Sequence, residues 1–453
     1  MEISVLTIEI GSTITKVNGF HLQPQGPFIH LAQGFAPTSL AAGDVGLGVE
    51  QALDELQAGS GLRAQGAEVF VNSSAAGGLR MTVHGLTRSM TVRAANEAAL
   101  GAGALVKYIT SGRLGGDDLQ EIVAIHPNII LLAGGVDYGD QETVLYNARQ
   151  LATLGLRIPV IYAGNSAARP SVQSIFQQAG IETLLAENVF PDVDVLNIEP
   201  VRRLVHEVFN RHIIHASGMQ RLGELTRFPV IPTPGAVLLA AELFAEALGD
   251  CLVVDVGGAT TDVHSVTDGS QEWASRMLEP EPRSKRTVEG DLGVFINAAN
   301  IVRLSGDTAW QARLSDLQAL PVTEQQIQLT RWLCQQAVET AVRRHAGTVS
   351  DLYTPTGKRQ VVKGKDLSAV QWVIGTGGAL TRLPGGEEIL RSLSQKAGKY
   401  LLPPVGARIL IDRDYRFSAL GSLAQVYPAE IKATFQQWME TEDSPRQNQP
   451  VHR

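Results

Sequence analysis

The chain has 453 residues, 44% of them hydrophobic and 19% charged, which fits a soluble globular protein with a large core. The net charge is -8 and no dense basic stretch occurs, so a nucleic-acid role is not expected, since that needs clustered positive charge. The two cysteines, Cys251 and Cys334, cannot build a zinc site, an all-cysteine iron–sulfur site or a disulfide framework within one chain, and they point to a reducing cytoplasm.

Residues 3–10 read as a buried strand with neither the basic flank nor the long apolar core of a signal peptide. They run into a Gly11-Ser12-Thr13 turn, and a second strand and turn follow over 18–28. Residues 43–58 have helical spacing, with Val45, Val49, Leu53 and Leu56 on one face. A short strand at 68–71 leads into a small-residue loop from Ser73 to Gly78. The Ala-rich stretch 92–109 predicts a helix, weakened by Gly101 and Gly103. Strands at 129–133, 160–163 and 181–186 then alternate with helices at 142–154 and 171–179, which implies a small parallel sheet. A charged helix over 200–216 is followed by Pro229, Pro232 and Pro234. An apolar helix spans 236–248, a strongly apolar strand 251–256, and a further strand 370–374. Glu242, Glu246 and Asp250 interrupt the apolar run, so no transmembrane helix is expected. The polar stretch 441–453 reads as a disordered tail. No repeat of fixed period is present.

Three junctions from strand to Gly-rich turn carry chemistry. The first is Glu9-Ile10-Gly11-Ser12-Thr13-Ile14-Thr15-Lys16. Its turn points backbone N–H groups at one place, as phosphate-binding nests do, with Lys16 in reach of a terminal phosphate and Glu9 near a Mg²⁺-bound water. A plain hairpin looks much the same. The second, Asp255-Val256-Gly257-Gly258-Ala259-Thr260-Thr261-Asp262, repeats the logic. Asp255 ends a buried strand, where a carboxylate is costly unless it is paired or faces a cation. The third, Ile374-Gly375-Thr376-Gly377-Gly378-Ala379, offers bare backbone against which a purine and its ribose can lie; tight strand–helix packing would use the same glycines. Glu289, Gly290 and Asp291 either line the same cleft or begin a helix, and the Ala133–Asp137 turn closes a strand of the parallel sheet. The histidines show no ligand spacing.

The order of these junctions resembles the actin, sugar-kinase and heat-shock-chaperone superfamily: two phosphate loops, then an adenosine loop. The helix 236–248 and the run Ser418-Ala419-Leu420-Gly421-Ser422-Leu423-Ala424 are similar to its two connecting helices, although Glu9 stands where that superfamily usually has Asp. Narrower signatures resemble the glutamate mutase accessory family, called MutL and unrelated to the mismatch-repair protein. These are Ser73-Ser74-Ala75-Ala76-Gly77-Gly78-Leu79-Arg80-Met81, Leu131-Leu132-Ala133-Gly134-Gly135-Val136-Asp137, Val160-Ile161-Tyr162-Ala163-Gly164-Asn165, Pro232-Thr233-Pro234-Gly235-Ala236 and Thr287-Val288-Glu289-Gly290-Asp291-Leu292-Gly293.

The resemblance implies a two-lobed actin-like α/β ATPase fold that binds ATP and Mg²⁺. It implies Glu9 and Asp255 at the metal, with Lys16 and Asp255 acting in hydrolysis. Gly11, Ser12, Thr13, Lys16, Gly257, Gly258, Ala259, Thr260, Gly375, Thr376, Gly377 and Gly378 would then meet the nucleotide. The expected organisation is a first lobe at 1–65, an inserted α/β region at 66–230 that is available to grip a partner, a second lobe at 231–440 and the tail. The implied function is slow, ATP-driven reactivation of an adenosylcobalamin-dependent mutase. A small-molecule kinase, a nucleotide-gated scaffold without turnover and an electron-donating activator share the fold. The last usually carries a cluster, for which two cysteines are too few.

Overall fold

The computed structural model describes residues 1–24, 26–75, 78–355, 357–396 and 398–443. Ala76 and Gly77 of the small-residue loop, and 444–453 of the tail, lie outside the described residues. Strand β1 (Val5–Ile10) is buried along its whole length, as its apolar run requires. It turns at Gly11 into antiparallel β2 (Ile14–Leu22), and β3 (Phe28–Pro37) completes a meander. Helix Gly46–Ser60 buries Val49, Ala52 and Leu56 and returns the chain to β4 (Glu68–Ser73), which runs parallel to β1. Strand β4 falls within the span 66–230 expected to be inserted. Its register with β1, from Val5↔Glu68 to Ile10↔Ser73, makes it a strand of the first lobe instead.

The chain then builds a parallel sheet from β5 (Arg80–Gly85), β6 (Leu105–Ser111), β7 (Ile129–Leu132), β8 (Val160–Tyr162) and β9 (Thr183–Leu185), in the order β6-β5-β7-β8-β9. The β7–β9 half is the alternation read from the sequence, with helices Glu142–Ala152 and Arg169–Gln178 between its strands. The single helix expected over 92–109 is not formed. Helix Arg93–Gly101 stops, and Gly103, at φ 87°, turns the chain into β6. This sheet has one core in common with the first lobe. Ile8 and Ile10 of β1, Met81 of β5, Leu131 of β7 and Val201 of helix Glu199–Ile213 all belong to it.

Strand β10 (Ile231–Pro232) adds to β4 and closes the first-lobe sheet in the order β10-β4-β1-β2-β3. Helix Thr233–Leu248 has Pro234 in its first turn, where a missing N–H is harmless, and leads into the second lobe. There β11 (Cys251–Val256), β12 (Thr261–Val266) and β13 (Ser284–Glu289) form another antiparallel meander. Helix Glu324–His345 and the hairpin of β14 (Thr348–Thr354) and β15 (Gly357–Lys363) intervene. Strands β16 (Trp372–Thr376) and β17 (Arg408–Ile411) then add in parallel, giving β13-β12-β11-β16-β17. The two lobe sheets match strand for strand: a three-strand meander, then two parallel strands, in one order. This is the two-lobed, actin-like α/β fold, duplicated in topology without a sequence repeat.

Helices Thr233–Leu248 and Arg416–Leu423 cross where the lobes join. A Cβ on Gly421 would lie 1.8 Å from the Ala236 carbonyl oxygen, so the two backbones touch. Buried Asn72 ties the crossing together: Thr233 Oγ1 donates to its Oδ1 at 2.6 Å, and its Nδ2 donates to Ser422 Oγ at 2.7 Å. Phe244, Phe417 and Phe435 pack beside it. Phe435 belongs to helix Pro428–Asp443, so residues 441–443, expected in the tail, complete a helix. Cys251 on β11 and Cys334 on helix Glu324–His345 are both fully buried. Burial pushes both thiols up, that of Cys334 to about 12. Among the described residues, no helix is long and apolar enough to cross a membrane.

Candidate functional site

The lobe equivalence brings two hairpins into corresponding places. In the first, Gly11 N–H donates to the Ile14 carbonyl at 3.1 Å. A Cβ on Gly11 would lie 2.7 Å from that oxygen, so only glycine fits. Ser12 and Thr13 are exposed at its tip. In the second, Gly257 N–H donates to the Thr260 carbonyl at 2.9 Å, and Gly258 is exposed. Glu9 stands opposite Lys16 on β1 and β2, and Asp255 stands opposite Asp262 on β11 and β12. Glu9 and Asp255 are therefore topological equivalents, and so are Lys16 and Asp262.

The third junction sits beside the second because β16 pairs with β11, placing Thr376 next to Asp255. Gly377 has φ 84°, and a Cβ there would lie 2.4 Å from the Val256 carbonyl oxygen and 2.5 Å from Asp255 Oδ1. Gly378 is exposed. Gly375 is buried within β16, where a Cβ would meet Leu390 Cδ1 at 2.9 Å, so its role is packing.

Charge is concentrated between these turns. Lys16 Nζ donates to Glu9 Oε1 at 2.6 Å and lies 3.9 Å from the centre of the Tyr415 ring. The other Glu9 oxygen accepts from Ser418 Oγ. Burial pulls the Lys16 ammonium down, but Glu9, Tyr415 and Asp255 more than offset it and hold its pKa above the usual lysine value. Asp255 is pushed up to about 7, first by burial and then by Asp262, with Lys16 opposing and Glu9 and Asp412 adding. Asp262 Oδ1 accepts from Arg286 Nε at 2.8 Å and Nη2 at 2.5 Å.

Asp412 escaped the sequence reading. It is fully buried just beyond β17 and accepts the backbone N–H groups of Arg416 and Phe417 at 2.7 and 3.1 Å, capping helix Arg416–Leu423. Thr376 Oγ1 donates to it at 3.2 Å. Burial raises its carboxyl to about 6 against these donors. The signal was available: Ile409-Leu410-Ile411-Asp412 ends an apolar strand in a carboxylate, as β11 does.

Other candidates are engaged elsewhere. Arg344 holds Glu289 at 2.6 Å and Asp291 at 2.7 Å. Asp137 accepts from Ser166 N–H at 2.8 Å and Asn188 Nδ2 at 2.9 Å, which tie its turn to the loops that follow β8 and β9. A cavity of about 440 Å³ lies away from the hairpins, lined by Arg202, His206, Asn210 and Leu239.

Among the described residues, no group of three or more His, Cys, Asp or Glu side chains could hold a metal. Mg²⁺ does not need one, because it commonly takes one or two carboxylates, waters and phosphate oxygens. Asp255 fits that donor chemistry, whereas both oxygens of Glu9, the other expected metal group, are taken by Lys16 and Ser418; the glycine cradles with Lys16 fit a polyphosphate.

The profile of the MutL protein family matches residues 5–439. Protein MutL of Clostridium tetanomorphum is 37% identical over 93% of this chain and 96% of its own length. The solved structure of a glycerol dehydratase reactivase is similar at 10% identity and a TM-score of 0.38, over 93% of this chain and 99% of that one. A diol dehydratase-reactivating factor in nucleotide-free form is similar at 13% identity and a TM-score of 0.36, over 97% and 100%. On the profile and the curated relative, this chain belongs to the MutL protein family.

Proposed function

We propose that the cleft binds Mg²⁺-ATP and hydrolyses it slowly, and that this cycle drives an accessory, chaperone-like action on an adenosylcobalamin-dependent aminomutase such as glutamate mutase. The observation that carries the nucleotide reading is the pair of equivalent hairpins whose strand-end carboxylates, Glu9 and Asp255, act on one lysine, Lys16. Bound Mg²⁺ would neutralise phosphate charge. Everything else falls to the chain. Lys16 supplies a fixed cation, the two glycine turns present backbone N–H groups, and the Gly377 junction lets β16 approach Asp255 without a side chain between them. Phosphoryl transfer depends mainly on such positioning and charge stabilisation.

The client is drawn from the family resemblance. A radical mutase that loses its adenosyl group retains a dead cobalamin, and releasing it needs energy from outside. Closure of two lobes on a nucleotide couples to a partner only if the partner binds the two lobe states unequally. The test mixes the protein with a mutase from the same source carrying inactive cobalamin and follows cobalamin release by its absorption. ATP should promote release, a non-hydrolysable analogue should stall the cycle, and Asp255→Ala should abolish both Mg²⁺-ATP binding and release. Release that ignores the nucleotide, or phosphorylation of a small metabolite instead, defeats the reading.

A further inference from the structure

Arg286, on β13, is 3% exposed and spans two parts of the molecule. Two of its nitrogens grip Asp262 Oδ1. The third, Nη1, donates at 2.8 Å to the carbonyl of Leu100, in the last turn of helix Arg93–Gly101. On the cleft side, Asp262 Oδ2 accepts from Thr260 Oγ1 at 3.1 Å, and Thr260 closes the second hairpin. An unbroken polar chain therefore runs from hairpin to Asp262 to Arg286 to Leu100. The helix it reaches connects β5 to β6 and so belongs to the inserted sheet.

The rest of that contact is also polar. Arg93 pairs with Glu279 at 2.6 Å and Glu281 at 2.9 Å, and Lys285 pairs with Glu281 at 2.9 Å and Glu97 at 3.4 Å. Glu97 Oε2 is buried with no hydrogen-bond partner. Buried ion pairs contribute little net stability compared with apolar packing, yet they fix a geometry, because each partner strands the other if it leaves. The helix itself begins from a π-helical turn, Arg88–Val92, a form frequent at functional sites. Its face toward the second lobe is thus specific in geometry but not held by a large apolar seam.

We propose that Arg286 is a positioning residue that relays the state of the second hairpin to the inserted sheet through Asp262 and the Leu100 carbonyl. The inference rests on the nucleotide reading above. The guanidinium is a rigid planar fork, so a shift of the Asp262 carboxylate cannot be absorbed by two of its bonds without disturbing the third. The Leu100 carbonyl also accepts the Gly103 N–H at 2.9 Å, at the turn into β6, so a shift of Arg286 acts on the oxygen whose backbone bond ends the helix.

The test is hydrogen–deuterium exchange on the full chain, with and without Mg²⁺-ATP, beside a separate titration of Mg²⁺-ATP binding. In the parent protein, nucleotide should change exchange across 93–106 by at least about fivefold, the lower end of ordinary site-to-site coupling. Arg286→Lys keeps the charge but not the fork. It should bind Mg²⁺-ATP within about threefold of the parent and lose the exchange change, the reverse of what loss of the site itself would do. Arg286→Gln serves if the lysine variant does not fold. Binding without an exchange change in the parent, or an unchanged response in the variant, overturns the relay alone. Absence of binding in the parent defeats the nucleotide reading, and the relay with it.

Discussion

Asp255 is held where it resists its own charge. Burial and neighbouring carboxylates bring it to about 7, against an ordinary value of 3.8. Between those values the folded chain keeps a proton that the unfolded chain has released. Without nucleotide, stability therefore falls as pH rises through that window, and Asp412, raised to about 6, acts in the same direction. A cation at Asp255 competes with the same proton. On the proposed reading, Mg²⁺-ATP affinity should rise about tenfold from pH 6 to pH 8, the ratio expected for one proton of that pKa. Asp255→Asn should bind weakly and with a flat pH profile. Calorimetric titration at both pH values checks this, and a flat profile in the parent protein would contradict the role given to Asp255. Glu9 and Asp255 were legible because each interrupts an apolar strand just before a glycine turn. Asp412 was hidden because no glycine follows it; a helix N-terminus does.

Elements were legible where the period was clean and bounded by breakers. Strand β11, helix Thr233–Leu248 and the β7–β9 alternation are of this kind. Helix Glu324–His345 went unread although a capping box, Thr323 with Gln326, marks its start. Strand β6 was absorbed into a false helix because alanine runs up to Gly103, and only the positive φ there reveals the break. The pairing of strand β4 with β1 is invisible in the sequence because partners far apart in the chain leave no local trace. The crossing of the two connecting helices is the element-scale feature most open to test. Gly421→Ala sets a methyl 1.8 Å from the Ala236 oxygen, so the helices must separate. Overpacking of this kind costs roughly 1–3 kcal/mol, more than the roughly 1 kcal/mol that alanine gains over glycine in a helix. The melting temperature should fall, as read by calorimetry or circular dichroism. An unchanged or higher value would mean that the crossing yields.

The whole molecule consists of two matched lobes and a parallel sheet rooted in the first lobe's core. Replacing 129–186 by a linker would remove β7–β9 and uncover Met81 and Val83 of β5, so a partner-binding test on this sheet is better made with surface substitutions. The sheet shares the first lobe's core and meets the second lobe through the polar contacts of helix Arg93–Gly101. The two buried thiols report on two different cores, Cys251 on the cluster between the lobes and Cys334 on the second lobe's own. Both reside in the second lobe, on the strand that bears Asp255 and on the long helix behind it, while the first lobe and the inserted sheet contain no sulfhydryl. An aromatic disulfide reagent should find no reactive group in the native protein and two after denaturation. Its slow uptake under native conditions becomes a clock for opening of the two cores that hold these thiols, with no engineered label. On the proposed reading, Mg²⁺-ATP should slow that clock; rapid stoichiometric uptake by the native chain would show that these cores are looser than their packing indicates.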